Sequence, residues 1–193
     1  MKSLNEIQSG KYYTELDWPA IPNALCEELI NYSNYVPNIR EARSTQGEAD
    51  TFTMHDIPES LKEWVSTNLP FIPSDYKIRI QKSKGYCPPH RDALRGVSYN
   101  FVLTEDDSTT LWHDVNNDMK ILEAVDYKQN VWYEHQSHTH HSVVNNSGIN
   151  RIAVTIFKFR LQEYPQFVDF KGNRFDVDDV QSYLSQKTKK EMI

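Results

Sequence analysis

The spacing of apolar residues changes near residue 76. Before that point it is helical. Cys26, Leu29 and Ile30 share one stripe of a predicted helix over about 24–35, with Asn23 placed to cap it and Pro37 to stop it. Leu61, Trp64, Val65 and Leu69 follow Asp56 and Pro58-Glu59 at the same period, predicting a second amphipathic helix to about Asn68, halted by Pro70 and Pro73. Between the two, residues 38–56 are polar and read as a long loop or a weak hairpin. After residue 76 the period drops to two. Strands are expected over 77–82, 97–103, 109–114, 119–124, 130–133, 140–145 and 151–159, separated by turn formers such as Glu105-Asp106-Asp107-Ser108, Asn116-Asn117-Asp118 and Asn146-Ser147-Gly148. The chain past Glu163 is polar again, with one expected helix over 177–185. Many short strands with turns at near-regular spacing predict a mainly β sandwich, jelly roll or barrel with N-terminal helices packed on one sheet.

Length and composition narrow this only a little. At 193 residues the chain suits one domain, 1–193, with a helical part (1–75), a β core (76–160) and a C-terminal extension (161–193). A formal charge of −6 offers no broad basic face for a nucleic acid, so none is expected as partner. No apolar run reaches the roughly 20 residues of a membrane span. Two cysteines, Cys26 and Cys87, and a polar start at Met1-Lys2-Ser3-Leu4-Asn5-Glu6 fit a reducing cytoplasm.

Candidate chemistry concentrates at Gly85-Tyr86-Cys87-Pro88-Pro89-His90-Arg91-Asp92. On an extended backbone His90 and Asp92 project to the same side, because side chains repeat every two residues. Such a pair chelates one divalent ion, and a further His would complete a 2-His-1-carboxylate facial triad, which leaves adjacent coordination positions open. Five later histidines compete: His113, His135, His138, His140 and His141. His141 is preferred, since His141-Ser142-Val143-Val144-Asn145 alternates as a strand entering the turn at Ser147-Gly148, and Arg151 follows ten residues on (151 − 141) at the head of the next strand. A register slip of one residue would substitute His140. His138 and His140 lie on the opposite strand face and read as solvated, while His113 and His135 read as loop or rim residues.

His90-x-Asp92, His141 and Arg151 together resemble the Fe(II)/2-oxoglutarate-dependent oxygenases, over roughly residues 76–159. The resemblance implies a double-stranded β-helix, a cupin-like jelly roll, with His90, Asp92 and His141 on iron and no catalytic side chain beyond these ligands. Arg151 would bind the far carboxylate of 2-oxoglutarate, since a planar, always-charged guanidinium grips a carboxylate bidentately. Many members follow this Arg with x-Ser. Here the run is Arg151-Ile152-Ala153, so Thr155, Tyr86 or Lys82 is expected to make the second contact and Asn100 to lie near the metal-binding end. The implied reaction is oxidative decarboxylation of 2-oxoglutarate to succinate and carbon dioxide, coupled to hydroxylation of a C–H bond. Arg95 and Trp112 are the substrate-side candidates, in a pocket between residues 40–53 and the loop after Asp92; against that stand a surface ion pair for Arg95 and a core place in its strand for Trp112.

Other readings have less behind them. His90-Arg91-Asp92 also opens a kinase catalytic loop, but position 97 is Val where that loop needs Asn, and no Gly-rich phosphate loop or Asp-Phe-Gly accompanies it. No His-Glu-x-x-His supports a zinc hydrolase. The rival from another class is a non-redox jelly roll that holds a metal or ligand. Arg151 separates the two, because such a binder has no need of that guanidinium. Cys87 reads as a small apolar residue beside the metal pair. Lys187, Lys189 and Lys190 read as a solvated tail.

Overall fold

The computed structural model describes residues 10–35, 38–41, 52–71, 76–92, 95–159, 166–168 and 174–176. In chain order the elements are β1 (Tyr13–Leu16), α1 (Asn23–Tyr35), β2 (Asn38–Glu41), β3 (Phe52–His55), α2 (Glu59–Asn68), β4 (Lys77–Ser83), β5 (Tyr86–His90), β6 (Arg95–Val102), β7 (Ser108–Asp114), β8 (Lys120–Asp126), β9 (Trp132–His135), β10 (His141–Asn145), β11 (Arg151–Phe159), β12 (Gln166–Val168) and β13 (Arg174–Asp176). The expected helix over 177–185, the basic tail and most of the expected substrate loop lie outside the described residues.

A seven-stranded sheet runs β1-β9-β6-β11-β4-β3-β2, a four-stranded sheet runs β5-β10-β7-β8, and β12 and β13 form a separate pair. Every pairing between named strands is antiparallel. The jelly roll expected from the alternating half is the architecture found.

Alternation decides which face of the large sheet does what. Ile78 and Ile80 of β4, Phe101 of β6, and Ile152, Val154 and Ile156 of β11 join Leu29 of α1 and Leu61 and Val65 of α2 in one buried cluster. Each such side chain contributes about 1.5–3 kcal/mol relative to exposure, so this layer supplies much of the stability and holds the central strands rigid. Their intervening residues face the four-stranded sheet. There a second cluster of Tyr13, Val102, Trp112, Val125, Tyr127, Tyr133 and Ala153 fills part of the space, and a polar cavity takes the rest.

Four strands depart from the sequence reading; β12 and β13 lie in the polar stretch past Glu163, where no strand was expected, and β1 and β5 have identifiable causes. β1 pairs with β9 where only loop was expected, since its inward position Glu15 carries a charge that breaks the apolar pattern. Glu15 is 2% exposed and is matched by Lys128 Nζ at 3.2 Å. β5 contains Pro88 and Pro89, which a sheet tolerates at an edge, and β5 is an edge strand. Among the described residues no helix is long and apolar enough to cross a membrane.

Candidate metal and oxo-acid cavity

β5 and β10 are antiparallel neighbours with His90 directly opposite His141, and their rings lie 4.5 Å apart. Each imidazole is oriented by its own strand end. His90 Nδ1 donates to Pro88 O at 2.8 Å and His141 Nδ1 donates to Thr139 O at 2.8 Å. That tautomer leaves Nε2 of both rings as the lone-pair nitrogen, the arrangement usual in metal-bound histidine. Asp92 follows β5; its N–H bonds to Ser137 O at 2.9 Å, so the segment before β10 fixes the carboxylate's backbone.

Burial penalises the charged form of His90, but its bond to Cys87 Sγ at 3.6 Å, with the nearby Cys87 and Asp92, carries it up to about 9. His141 is pushed down to about 4 by burial and by His90 beside it. A cation in this space would displace the proton that His90 otherwise holds. Asp92 Oδ2 accepts from Arg95 Nη1 at 3.3 Å, and among the described residues no three His, Cys, Asp or Glu side chains are drawn close enough to hold an ion as they stand. Two nitrogens and one carboxylate oxygen are the right donors for iron; the fit requires the carboxylate to turn from Arg95 toward the rings.

β10 leads through a tight corner into β11. Asn145 shapes it, donating to Ile149 O at 2.7 Å and accepting from Ser147 N at 3.1 Å, while Gly148 takes φ +73°. The two strands enter different sheets, so His141 and Arg151 face each other across the interior instead of sharing one sheet face as their spacing suggested. Arg151 is 7% exposed. Its Nη1 lies 3.4 Å from Thr110 Oγ1 and its guanidinium 5.0 Å from the Tyr127 ring centroid. Burial lowers its pKa, and among the described residues no carboxylate lies within ion-pair distance. Two inward positions further along β11, past Ala153, Thr155 Oγ1 is buried without a hydrogen-bond partner. A buried cation and an orphaned hydroxyl lining one cavity both call for an anionic or polar ligand there.

No protein-family model and no curated protein sequence matches the chain. Solved structures do. A prolyl hydroxylase from Trichoplax adhaerens, in complex with a hypoxia inducible factor oxygen degradation domain peptide, superposes with TM-score 0.54 at 14% identity, covering 79% of this chain and 85% of that one. A 2OG-Fe(II) oxygenase family oxidoreductase from Burkholderia pseudomallei gives TM-score 0.51 at 11% identity over 77% and 84%. The non-heme alpha ketoglutarate dependent epimerase SnoN of nogalamycin biosynthesis gives 0.52 at 10% identity over 76% and 78%. The chain has the double-stranded β-helix fold of the 2-oxoglutarate/Fe(II) oxygenases.

Within this oxygenase fold the cavity collects His90 of β5 and Asp92 just after it, Arg95 and Asn100 of β6, His141 of β10, and Arg151 and Thr155 of β11. His140 is not among its lining residues, which favours His141. The other candidates are placed differently. Trp112 is 0% exposed in the aromatic cluster and cannot form a substrate mouth. Tyr86 is 51% exposed and lies outside the cavity lining, as does Lys82, whose Nζ bonds to Asn34 Oδ1. Arg95 lines the cavity but is committed to Asp92, to the Phe157 ring at 3.8 Å and to Met54 Sδ.

The histidines taken for loop or rim also differ. His135 is buried on β9 against His141, at 4.6 Å between rings. His113 is buried on β7, bonding Ser142 Oγ at 2.8 Å and Met119 O at 3.0 Å. Extending the expected strand over 130–133 by two residues would have placed His135 in phase with Tyr133, facing inward. Thr110, Ser98 and Ser137 are also lining residues. Tyr127, just beyond β8, joins them with no periodic signal to announce it.

Proposed function

We propose that the protein is an Fe(II)- and 2-oxoglutarate-dependent oxygenase acting on a C–H bond of a protein side chain, an amino acid or a small metabolite. The observation that carries this is Arg151, a buried cation facing His90 and His141 across a polar cavity with no anion of its own among the described residues. His90, Asp92 and His141 are the metal ligands. Arg151 binds the far carboxylate of 2-oxoglutarate, with Thr155 and Thr110 as hydroxyl donors, and Asn100 lies beside the end that meets the metal. Bound iron and oxo-acid supply dioxygen reduction, decarboxylation to succinate and carbon dioxide, and transfer of oxygen to the substrate. The residues hold the two partners in register: the carbonyls of Pro88 and Thr139 fix the imidazoles, and the sheet-bound Arg151 fixes the oxo-acid.

The rival, a non-redox jelly-roll binder, leaves the buried guanidinium unexplained. Anaerobic titration with Fe(II) and 2-oxoglutarate tests the assignment through the weak visible charge-transfer band of such a chelate. The wild type should develop it and His141→Ala should not; a band that persists in His141→Ala refutes the ligand set. Formation of succinate in air then separates an enzyme from a binder.

A further inference from the structure

Two buried groups of the cavity have no part in holding iron or oxo-acid. The Tyr127 hydroxyl and His135 Nδ1 are 2.7 Å apart, and both residues line the cavity. A phenol bonded to an imidazole in a dry interior is poised to lose an electron, because oxidation makes its O–H strongly acidic and the proton acceptor is already in place.

Oxidisable rings continue from there to the surface. Tyr127 lies 6.5 Å from Tyr13 between centroids, Tyr13 stacks on Trp112 at 5.8 Å, and Trp112 stacks on Tyr12 at 5.9 Å. These are separations of packed aromatic pairs, so each ring touches the next. Trp112 Nε1 has no hydrogen-bond partner, so that ring keeps its proton when it passes an electron. Tyr12, at the outer end, is half-buried and reaches water. Packing alone accounts for rings in contact. It does not require a phenol–imidazole bond at one end and a half-exposed phenol at the other.

We propose that Tyr127, His135, Tyr13, Trp112 and Tyr12 form a one-electron relay that drains oxidising equivalents from the cavity when dioxygen is activated with no substrate in place. The proposal rests on the oxygenase reading. Iron and oxo-acid held by His90, Asp92, His141 and Arg151 would supply, with dioxygen, an oxidant of high-valent iron class; Tyr127 would give it one electron, lowering the iron by one oxidation state. The phenol proton passes to Nδ1 of His135, in its Nε2–H tautomer. An electron then moves from Tyr12 through Trp112 and Tyr13 to Tyr127, which recovers its proton from His135. Tyr12 releases its own proton to water and is restored by a solution thiol or ascorbate. The Arg151 guanidinium over the Tyr127 ring opposes loss of that electron until a carboxylate compensates its charge, so the relay opens in the oxo-acid complex.

The test uses the full-length protein loaded with Fe(II) and 2-oxoglutarate, with the visible band recorded first without oxygen. Substrate-free samples are mixed with dioxygen, freeze-quenched for electron paramagnetic resonance, and mapped for oxidised side chains by mass spectrometry. The wild type should show a tyrosyl signal with oxidation concentrated at Tyr12. Tyr127→Phe should lose the signal, shift oxidation to cavity side chains and inactivate several-fold faster. Tyr12→Phe, remote from the cavity, should keep the band and strand the oxidation at Trp112 and Tyr13. A wild type with a normal band and no radical overturns the relay, as does a signal unchanged in Tyr127→Phe. Absence of the band itself overturns the iron reading, and the relay with it.

Discussion

β11 has two faces that obey different rules. Ile152, Val154 and Ile156 meet α1 and α2 in a layer of matched apolar side chains, while Arg151 and Thr155 on the alternate positions face the cavity with a buried charge and an unpartnered hydroxyl. One face lowers the free energy of the fold; the other carries polar groups that cost stability until a ligand satisfies them. Packing and function are thus interleaved residue by residue along one strand, and substitutions on the two faces should separate stability from binding.

The largest expected effect lies on the cavity face. Arg151→Met should weaken 2-oxoglutarate binding by about 2–5 kcal/mol while leaving the melting temperature unchanged or higher, because it removes a buried unpaired charge. Calorimetry of binding and thermal melting of the same preparation check both halves, and a marked loss of stability would show that the guanidinium is structural. Ile156→Ala is the mirror experiment. It should cost about 2–5 kcal/mol of stability, read by denaturant unfolding, with iron and oxo-acid affinity retained in the folded fraction. Thr155→Val is smaller. Losing one hydroxyl contact should weaken oxo-acid binding by about 0.5–1.5 kcal/mol with no loss of stability, since no partner is orphaned by the change; a destabilised variant would mean that the hydroxyl has one.

The smallest effect concerns Tyr127 and Tyr133, stacked at 4.4 Å in the aromatic cluster beside the cavity. Burial raises both phenols, Tyr133 to about 12 and Tyr127 further. A raised acid favours the folded state below its ordinary pKa of about 10 and loses that contribution as pH climbs through the folded value. Ultraviolet titration should therefore show these two of the eleven tyrosines ionising last, together with alkaline unfolding. Ionisation near pH 10 of every tyrosine while the fold persists would contradict their burial.

Much of this was legible because period-two alternation reports one buried face. Strands β4 and β6 to β11 follow from it, as does the preference for His141, which lines the cavity, over His140, which does not. What escaped lay where alternation is broken by a paired charge or where sheet membership matters. Glu15 hid β1 because its partner Lys128 is 113 residues away. His135 was lost by ending its strand two residues early. Trp112 was offered to a substrate because composition cannot distinguish an aromatic at a mouth from one stacked inside. That β10 and β11 enter opposing sheets depends on the corner at Asn145, a local geometry that residue spacing does not encode.

The cross-strand partnership of His90 with His141 also has a consequence in time. Its members are 51 residues apart (141 − 90), and β4 meets β11 across a still longer interval. Loop closure over such distances precedes the contacts that reward it, so folding is slow relative to helical proteins of this size. On the ribosome, where chains emerge N-terminal end first, the cavity cannot assemble until β10 and β11 have been synthesised. A nascent chain shorter than that carries His90 and Asp92 as a loose pair, with neither the facing imidazole nor the buried guanidinium yet made, so the ligand-binding face of this fold is the last part to exist.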